Sequence, residues 1–167
     1  MIVTPRLRLV PATPELVDAE LRDPAEMAAL IGVTVPPDWP PLHVDRDVLL
    51  WARERLADPI SHGWLLHYIV HDGTLAGSCG YTGPPTDGQV EIGYSVVPSF
   101  QRRGIASEAA AGLVDEAWRR GVVRVFAQTL PPPDGDASIA VLRRLGFTDA
   151  PAREPGAAGY VLEAPAA

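Results

Sequence analysis

Residues 101–107 read Gln-Arg-Arg-Gly-Ile-Ala-Ser, and they follow an apolar run that stops at Pro98. From Gly104 onward the chain turns Ala-rich and helical. A helix N-terminus holds amide N–H groups with no intrahelical acceptor, together with about half a unit of positive charge. Gly104 lacks the Cβ that would hold a ligand off the backbone. Arg102 and Arg103 add guanidinium donors for charge-assisted hydrogen bonds. A phosphate or pyrophosphate suits such a cradle. The spacing is neither the phosphate loop that ends in Gly-Lys-Ser/Thr nor the Gly-x-Gly-x-x-Gly dinucleotide turn, because Ala106 stands two residues after the only glycine. On spacing alone, the same residues also suit a plain helix start with two solvated arginines.

The cradle needs a strand to deliver it and a helix to receive it. "QVEIGYSVV" (89–97) reads as the strand. Residues 103–120 read as the helix, with Leu113, Val114, Ala117 and Trp118 toward the core. Upstream, "RLRLV" (6–10) alternates charged and apolar residues as a half-buried strand does. A helix starts at Thr13-Pro14, a second ends at Gly32, and a third spans 44–59, stopped by Pro59. "VPPDWPP" (35–41) is a rigid loop, since its prolines lack amide hydrogens. Its Trp39 either covers an acceptor or plugs the core. "WLLHYIVHDGTLAGSCGYTG" gives two strands around Asp72-Gly73, a strong hairpin signal. Beyond the cradle helix come a strand at 122–130, a loop, a helix capped by Gly146, two closing strands and a frayed end after Glu163. The predicted architecture is α+β, one domain over 1–167, with a mixed, mostly antiparallel sheet of about seven strands and helices on both faces.

Composition narrows the function classes. The net charge is −7, from 14 basic and 21 acidic residues, so there is no basic footprint for nucleic acid. No run of 18 apolar residues predicts a membrane span. Cys79 is the only cysteine, which excludes an internal disulfide and fits a cytoplasmic protein, as a monomer or a homodimer. Every basic residue is arginine, and there is neither lysine nor asparagine, a pattern of GC-rich coding. His67 and His71 are four apart in a strand, about 13 Å, so they form no metal pair and no metal is expected. His43 and His62 lie near loops where an acceptor site is expected.

The stretch Gln101-Arg102-Arg103-Gly104-Ile105-Ala106 resembles the acyl-CoA loop of the GNAT superfamily of N-acetyltransferases, Gln/Arg-x-x-Gly-x-Gly/Ala after an apolar-x-Pro step. "SIAVLRRLGF" (138–147) matches that superfamily's late helix ending in Leu-Gly-Phe, and "TPRLRLVPAT" resembles the first strand of its ribosomal-protein N-alpha-acetyltransferase branch. The resemblance implies acetyl-CoA as co-substrate, its pyrophosphate on the amides of Arg102 to Ser107, and its pantetheine arm near Val96 and Val97. It implies a primary amine as acceptor, either a protein N-terminus or a small molecule. Where many relatives carry a tyrosine acid, this chain has Leu142. Where they carry an asparagine that contacts pantetheine or caps the helix, it has Gly135, and Asp136 is the alternative cap.

Acetyl transfer needs a group to deprotonate the amine, donors for the developing oxyanion, and a group to meet the leaving thiolate. Glu91, which faces opposite to Val90 and Ile92 by strand alternation, is the candidate base, and the resemblance supports it. A backbone amide around Val96 is the candidate oxyanion donor. Ser138 aligns with the serine at the helix start in the ribosomal-protein branch; its hydroxyl either meets the cofactor sulfur or pantetheine, or only caps the helix. Tyr81 and Tyr94 are the remaining phenols on the sheet. The rival function is a non-catalytic acyl-CoA-binding sensor or interaction module, which Leu142 and Gly135 would suit.

Overall fold

The computed structural model describes residues 1–166. Its strands are β1 (Ile2–Val3), β2 (Leu7–Pro11), β3 (Leu66–His71), β4 (Thr74–Tyr81), β5 (Gln89–Val96), β6 (Arg124–Thr129), β7 (Thr148–Ala150) and β8 (Ala158–Glu163). Its helices are α1 (Pro14–Arg22), α2 (Pro24–Ile31), α3 (Arg46–Arg55), α4 (Ile105–Arg119) and α5 (Asp136–Arg144). The strands form one eight-stranded sheet in the order β1-β2-β3-β4-β5-β6-β8-β7. Every pairing is antiparallel except β5 with β6. The eighth strand, against about seven expected, is β1, whose two residues are too few for alternation to be read.

Helix boundaries follow the caps. Thr13 accepts from the Leu16 amide to open α1. Asp23, in extended conformation, closes α1 and opens α2 by accepting from Ala25 N–H. Gly32 ends α2 with φ 69°, a left-handed turn that glycine takes without a Cβ clash. The helix expected over 44–59 is shorter, because Asp45 caps it at Arg46 and Asp58 starts a separate 3₁₀ turn at Pro59–Ser61. The β3–β4 turn has Asp72 at φ 46° and Gly73 at φ 73°, the two left-handed residues that a tight hairpin with matching twist requires.

Two apolar layers sandwich the sheet. Leu9, Ile69, Ile92 and Val125 pack against Ala109 and Leu113 of α4 on one face. Tyr68, Val70 and Leu75 pack with Val17 of α1, Met27 of α2 and Leu49 of α3 on the other. Trp39 packs onto this second core and donates to Glu20 Oε1 at 3.0 Å, so it plugs the core rather than covering an acceptor. Tyr68 donates to the other oxygen of Glu20 at 2.7 Å, which satisfies a carboxyl group that is only 5% exposed.

His67 on β3 is buried at 2% exposure, donates from Nδ1 to the Leu65 carbonyl at 2.9 Å and lies edge-on to the Tyr81 ring. Burial pulls its pKa down to about 4. The folded state therefore binds the proton less readily than the unfolded chain, and stability falls as pH drops from 6.5 toward 4. The loss expected from this one residue is about 3 kcal/mol. Urea unfolding at pH 7 and pH 4 should show that much less pH sensitivity in His67→Leu than in the parent. Equal losses in the two proteins would remove His67 from this role.

Candidate active site

The strand-to-helix junction has the expected shape. After β5, Pro98–Phe100 makes a single 3₁₀ turn, and Arg102 at φ 59° and Gly104 at φ 78° then wind the backbone into α4. Gly104 is the N-cap and supplies no side chain to satisfy the helix amides. Within the described residues, the amides of residues 102 to 107 donate to no protein acceptor, and the intrahelical ladder begins with Glu108 N–H to the Gly104 carbonyl. Arg102, Arg103 and Gly104 are exposed, Ala106 and Ser107 are half-buried, and Ile105 turns into the core at 1% exposure. The protein's own side chains therefore do not fill this row of donors.

Two residues from the start of the chain hold the junction in place. Arg6 Nε meets Glu108 Oε2 at 2.7 Å, and Arg6 Nη1 donates to the Arg103 carbonyl at 3.0 Å. Glu108 Oε1 also accepts from the Thr4 hydroxyl at 2.6 Å and the Arg6 amide at 2.8 Å. Partial burial works against the Glu108 charge, but these hydrogen bonds outweigh it and lower its pKa. A Cβ at residue 104 would stand 3.3 Å from Arg6 Nη2, in a backbone conformation that L-residues avoid. Arg144 of α5 reaches Ser107 Oγ at 3.5 Å. Arg6, paired with Glu108, and Arg144 thus bring their guanidinium groups to the helix tip of a chain whose net charge is −7, and Arg102 and Arg103 are exposed beside them, an arrangement that attracts anions locally.

Next to this tip the sheet opens. β5 and β6 pair from Gln89↔Arg124 to Ile92↔Ala127 and no further. β5 continues to Val96 along β4, and β6 continues to Thr129 along β8. The Glu91 carbonyl and the Val97 amide both bond toward β4. By strand alternation, the main-chain groups of Tyr94 and Val96 face the gap. Gln101 Nε2 donates to the Val96 carbonyl at 3.0 Å, so the free groups on that edge are those of Tyr94 and the Val96 N–H. Val97 turns its main chain the other way: its N–H goes to the Ala76 carbonyl and its C=O accepts from Phe100.

Ser138 and Gly135 sit across the gap on α5. Tyr94 donates to the Ser138 carbonyl at 3.1 Å, and burial raises the phenol pKa so that it stays a donor. Ser138 lies in the first turn of α5, where the N-cap is Gly135 and no side chain caps the helix. The capping roles considered for Ser138 and Asp136 are therefore not found. Gly135 has a steric reason: a Cβ there would come within 1.7 Å of the Leu130 carbonyl oxygen, so no asparagine fits this backbone. Leu142 is 1% exposed and packs in the core. Tyr81 donates to the Leu113 carbonyl at 2.7 Å, which occupies its phenol in the core.

Glu91 projects from the opposite face of the sheet into a polar cavity of about 480 Å³, with Arg55, Thr82 and Arg153 in its wall. Gln128 Nε2 donates to one Glu91 oxygen at 3.0 Å, and Arg153 Nη1 stands 3.4 Å from the other. Beside it lies a mainly apolar cavity of about 290 Å³, roofed by Val48 and Trp51 of α3 and floored by Ser78, Gly93 and Ser95. Thr82 borders both cavities. His43 lines the apolar one, whereas His62 bonds the Leu56 carbonyl. The sequence reading missed Ser78, Trp51, the Arg6–Glu108 clamp and Arg144. Serines and glycines in "GSCGY" and "GYS" were the available signal for a strand face left open to a ligand.

The family described as acetyltransferase (GNAT) domain matches residues 6–148 of this chain. None of the curated proteins matches it in sequence. Among solved structures, RimL, a ribosomal L7/L12 alpha-N-protein acetyltransferase in complex with coenzyme A, is 24% identical with a TM-score of 0.67, over 96% of this chain and 96% of its own. Mycobacterium smegmatis RimJ, in complex with CoA-disulfide, is 20% identical with a TM-score of 0.64, over 95% of this chain and 82% of its own. An acetyltransferase from Agrobacterium tumefaciens is 22% identical with a TM-score of 0.64, over 98% and 94%. The strand-gap-helix geometry and the family match lead to one conclusion: this chain belongs to the GNAT acetyltransferase family.

Proposed function

We propose that the protein moves an acetyl group from acetyl-CoA to a primary amine, by direct attack of the amine within a ternary complex. The observation that carries this reading is the gap between β5 and β6, which leads to a helix tip whose amides have no partner among the described residues. In this reading the amides of Arg102, Arg103, Gly104, Ile105, Ala106 and Ser107 hold the pyrophosphate, and the side chains of Arg102, Arg103 and Arg144 balance its charge. Gln101 acts indirectly: by binding the Val96 carbonyl it fixes the turn from which the cradle starts. The edge groups of Tyr94 and Val96 hold the pantetheine arm as a missing strand would. Gly135 lets α5 approach the end of β6 closely enough to border the same gap.

Acetyl-CoA supplies an activated thioester, and the protein's residues do the rest. The Val96 N–H faces the gap and is the proposed donor to the developing oxyanion. Ser138, brought to the gap by the Tyr94 contact, is the proposed partner for the sulfur. Glu91 is the proposed base. It lines the polar cavity next to the apolar one, where there is room for a water to relay the proton from the amine. Bonds from Gln128 and Arg153 fix its orientation. RimL and RimJ, which share the fold, are in complex with coenzyme A and CoA-disulfide, and this supports the cofactor assignment.

Gly104→Glu should weaken acetyl-CoA binding by about a hundredfold or more, because a carboxylate would occupy the cradle. Calorimetry checks this, with the circular dichroism spectrum confirming the fold. Parental affinity in that variant would refute the cradle. Glu91→Gln should slow turnover at neutral pH by about tenfold or more while acetyl-CoA affinity stays the same. A parental rate would take the base role from Glu91.

A further inference from the structure

The cavity between α3 and the sheet holds an unusual polar atom. Ser78 is 2% exposed, and its Oγ has no hydrogen-bond partner among the described residues. A buried hydroxyl without a partner carries a desolvation cost of about 1–3 kcal/mol. Such an atom calls for an explanation. Ser78 pairs with Tyr68 on one side and Ser95 on the other, which puts it on the sheet face that α3 covers. The residue borders the floor of the 290 Å³ cavity there, with Oγ itself covered in this rotamer. Around it the walls are Leu42, Val48, Trp51 and Leu66, and no carboxylate or guanidinium lines the space.

Gly93, also in the floor, has nothing within 4 Å of where a Cβ would be, so its missing side chain keeps the cavity open. Ser95 and Gly93 belong to the part of β5 that runs alongside the gap. The cavity and the gap therefore meet across a single strand.

From this we infer that the cavity selects acceptor amines that carry an uncharged, apolar substituent, and that Ser78 turns about its Cα–Cβ bond to give its unpartnered Oγ a hydrogen bond to a polar atom of the seated acceptor. The inference rests on the acetyltransferase reading and adds the acceptor's chemical class to it. An anionic or cationic substituent would lose its hydration among these walls and meet no carboxylate or guanidinium, only the His43 ring. An apolar one gains by leaving water. A free small amine and the N-terminal residue of a polypeptide share this chemistry. For a polypeptide, the chain beyond its first residue would continue past Thr82 into the polar cavity.

The test is thiol release from acetyl-CoA with four amine acceptors: the amides of phenylalanine, leucine, aspartate and lysine. The expected result is kcat/KM at least about tenfold higher for the two apolar amides. A hexapeptide beginning with phenylalanine distinguishes the sources. A higher kcat/KM than for the amide identifies a polypeptide end, and an equal one a small amine; both uphold the apolar selection.

Ser78→Ala should lower kcat/KM for phenylalanine amide by about tenfold. Its melting temperature and acetyl-CoA affinity should be unchanged or higher, since it removes a buried unpaired hydroxyl. Gly93→Leu should raise KM for phenylalanine amide by about tenfold or more without weakening acetyl-CoA binding. Charged amides used as well as apolar ones, or a Ser78→Ala variant with parental kcat/KM, would overturn this inference and leave the transferase reading standing. Acetylation of none of the amines by protein that binds acetyl-CoA would overturn both.

Discussion

The parting of β5 from β6 is the constraint on which the rest of the site depends. Two parallel strands that pair for four residues would ordinarily continue together. Here each is bound on its outer edge, β5 to β4 and β6 to β8, and the two outer partners carry them in different directions after Ile92 and Ala127. Exposed main-chain groups at such a gap are a liability in a folded protein unless water or a ligand takes them. Gln101 satisfies one of them from within, and the rest form an edge that suits an extended, amide-bearing arm.

The same logic holds at the helix tip. Most of this protein's helices begin with a side-chain cap, as Thr13, Asp23 and Asp45 show. α4 begins with a glycine and no cap, and it is the longest helix among the described residues. Its terminal amides are therefore left without a partner among the described residues. The Arg6–Glu108 clamp keeps the tip from shifting, with the carboxylate placed beside the first turn, where the helix dipole also favours it. The loop at 35–41 joins this frame too, because Asp38 accepts from the Ser99 amide at 2.7 Å and hydroxyl at 3.0 Å, linking the turn after β5 to the loop that Trp39 anchors in the second core.

Much of this was legible in the sequence, for identifiable reasons. The cradle is local: Gln101 to Ser107 are consecutive, and the glycine, the arginines and the helical run around them each have a fixed conformational meaning. The hairpin at Asp72-Gly73 and the caps at Thr13 and Gly32 are local in the same way. What depends on distant contacts was not legible. Arg6 meets Glu108 across about a hundred residues of chain, and nothing near either residue signals it. The reason for Gly135 is the Leu130 carbonyl, a packing fact that no neighbouring residue signals. Ser78 reads as an ordinary small strand residue until α3 and β5 enclose it. Trp39 left two alternatives open, and Glu20, a buried carboxyl group that no periodicity predicts, decides between them.

The account stands or falls on whether the unpaired amides of the α4 tip receive the cofactor. Amide hydrogen exchange, measured residue by residue with and without saturating coenzyme A, asks this directly. The account predicts that the amides of residues 102 to 107 and of Val96 become protected, while the solvated amides of the β3–β4 turn exchange as before. Bound coenzyme A that leaves those amides exchanging at their free rate, and protects a different part of the molecule, would contradict it.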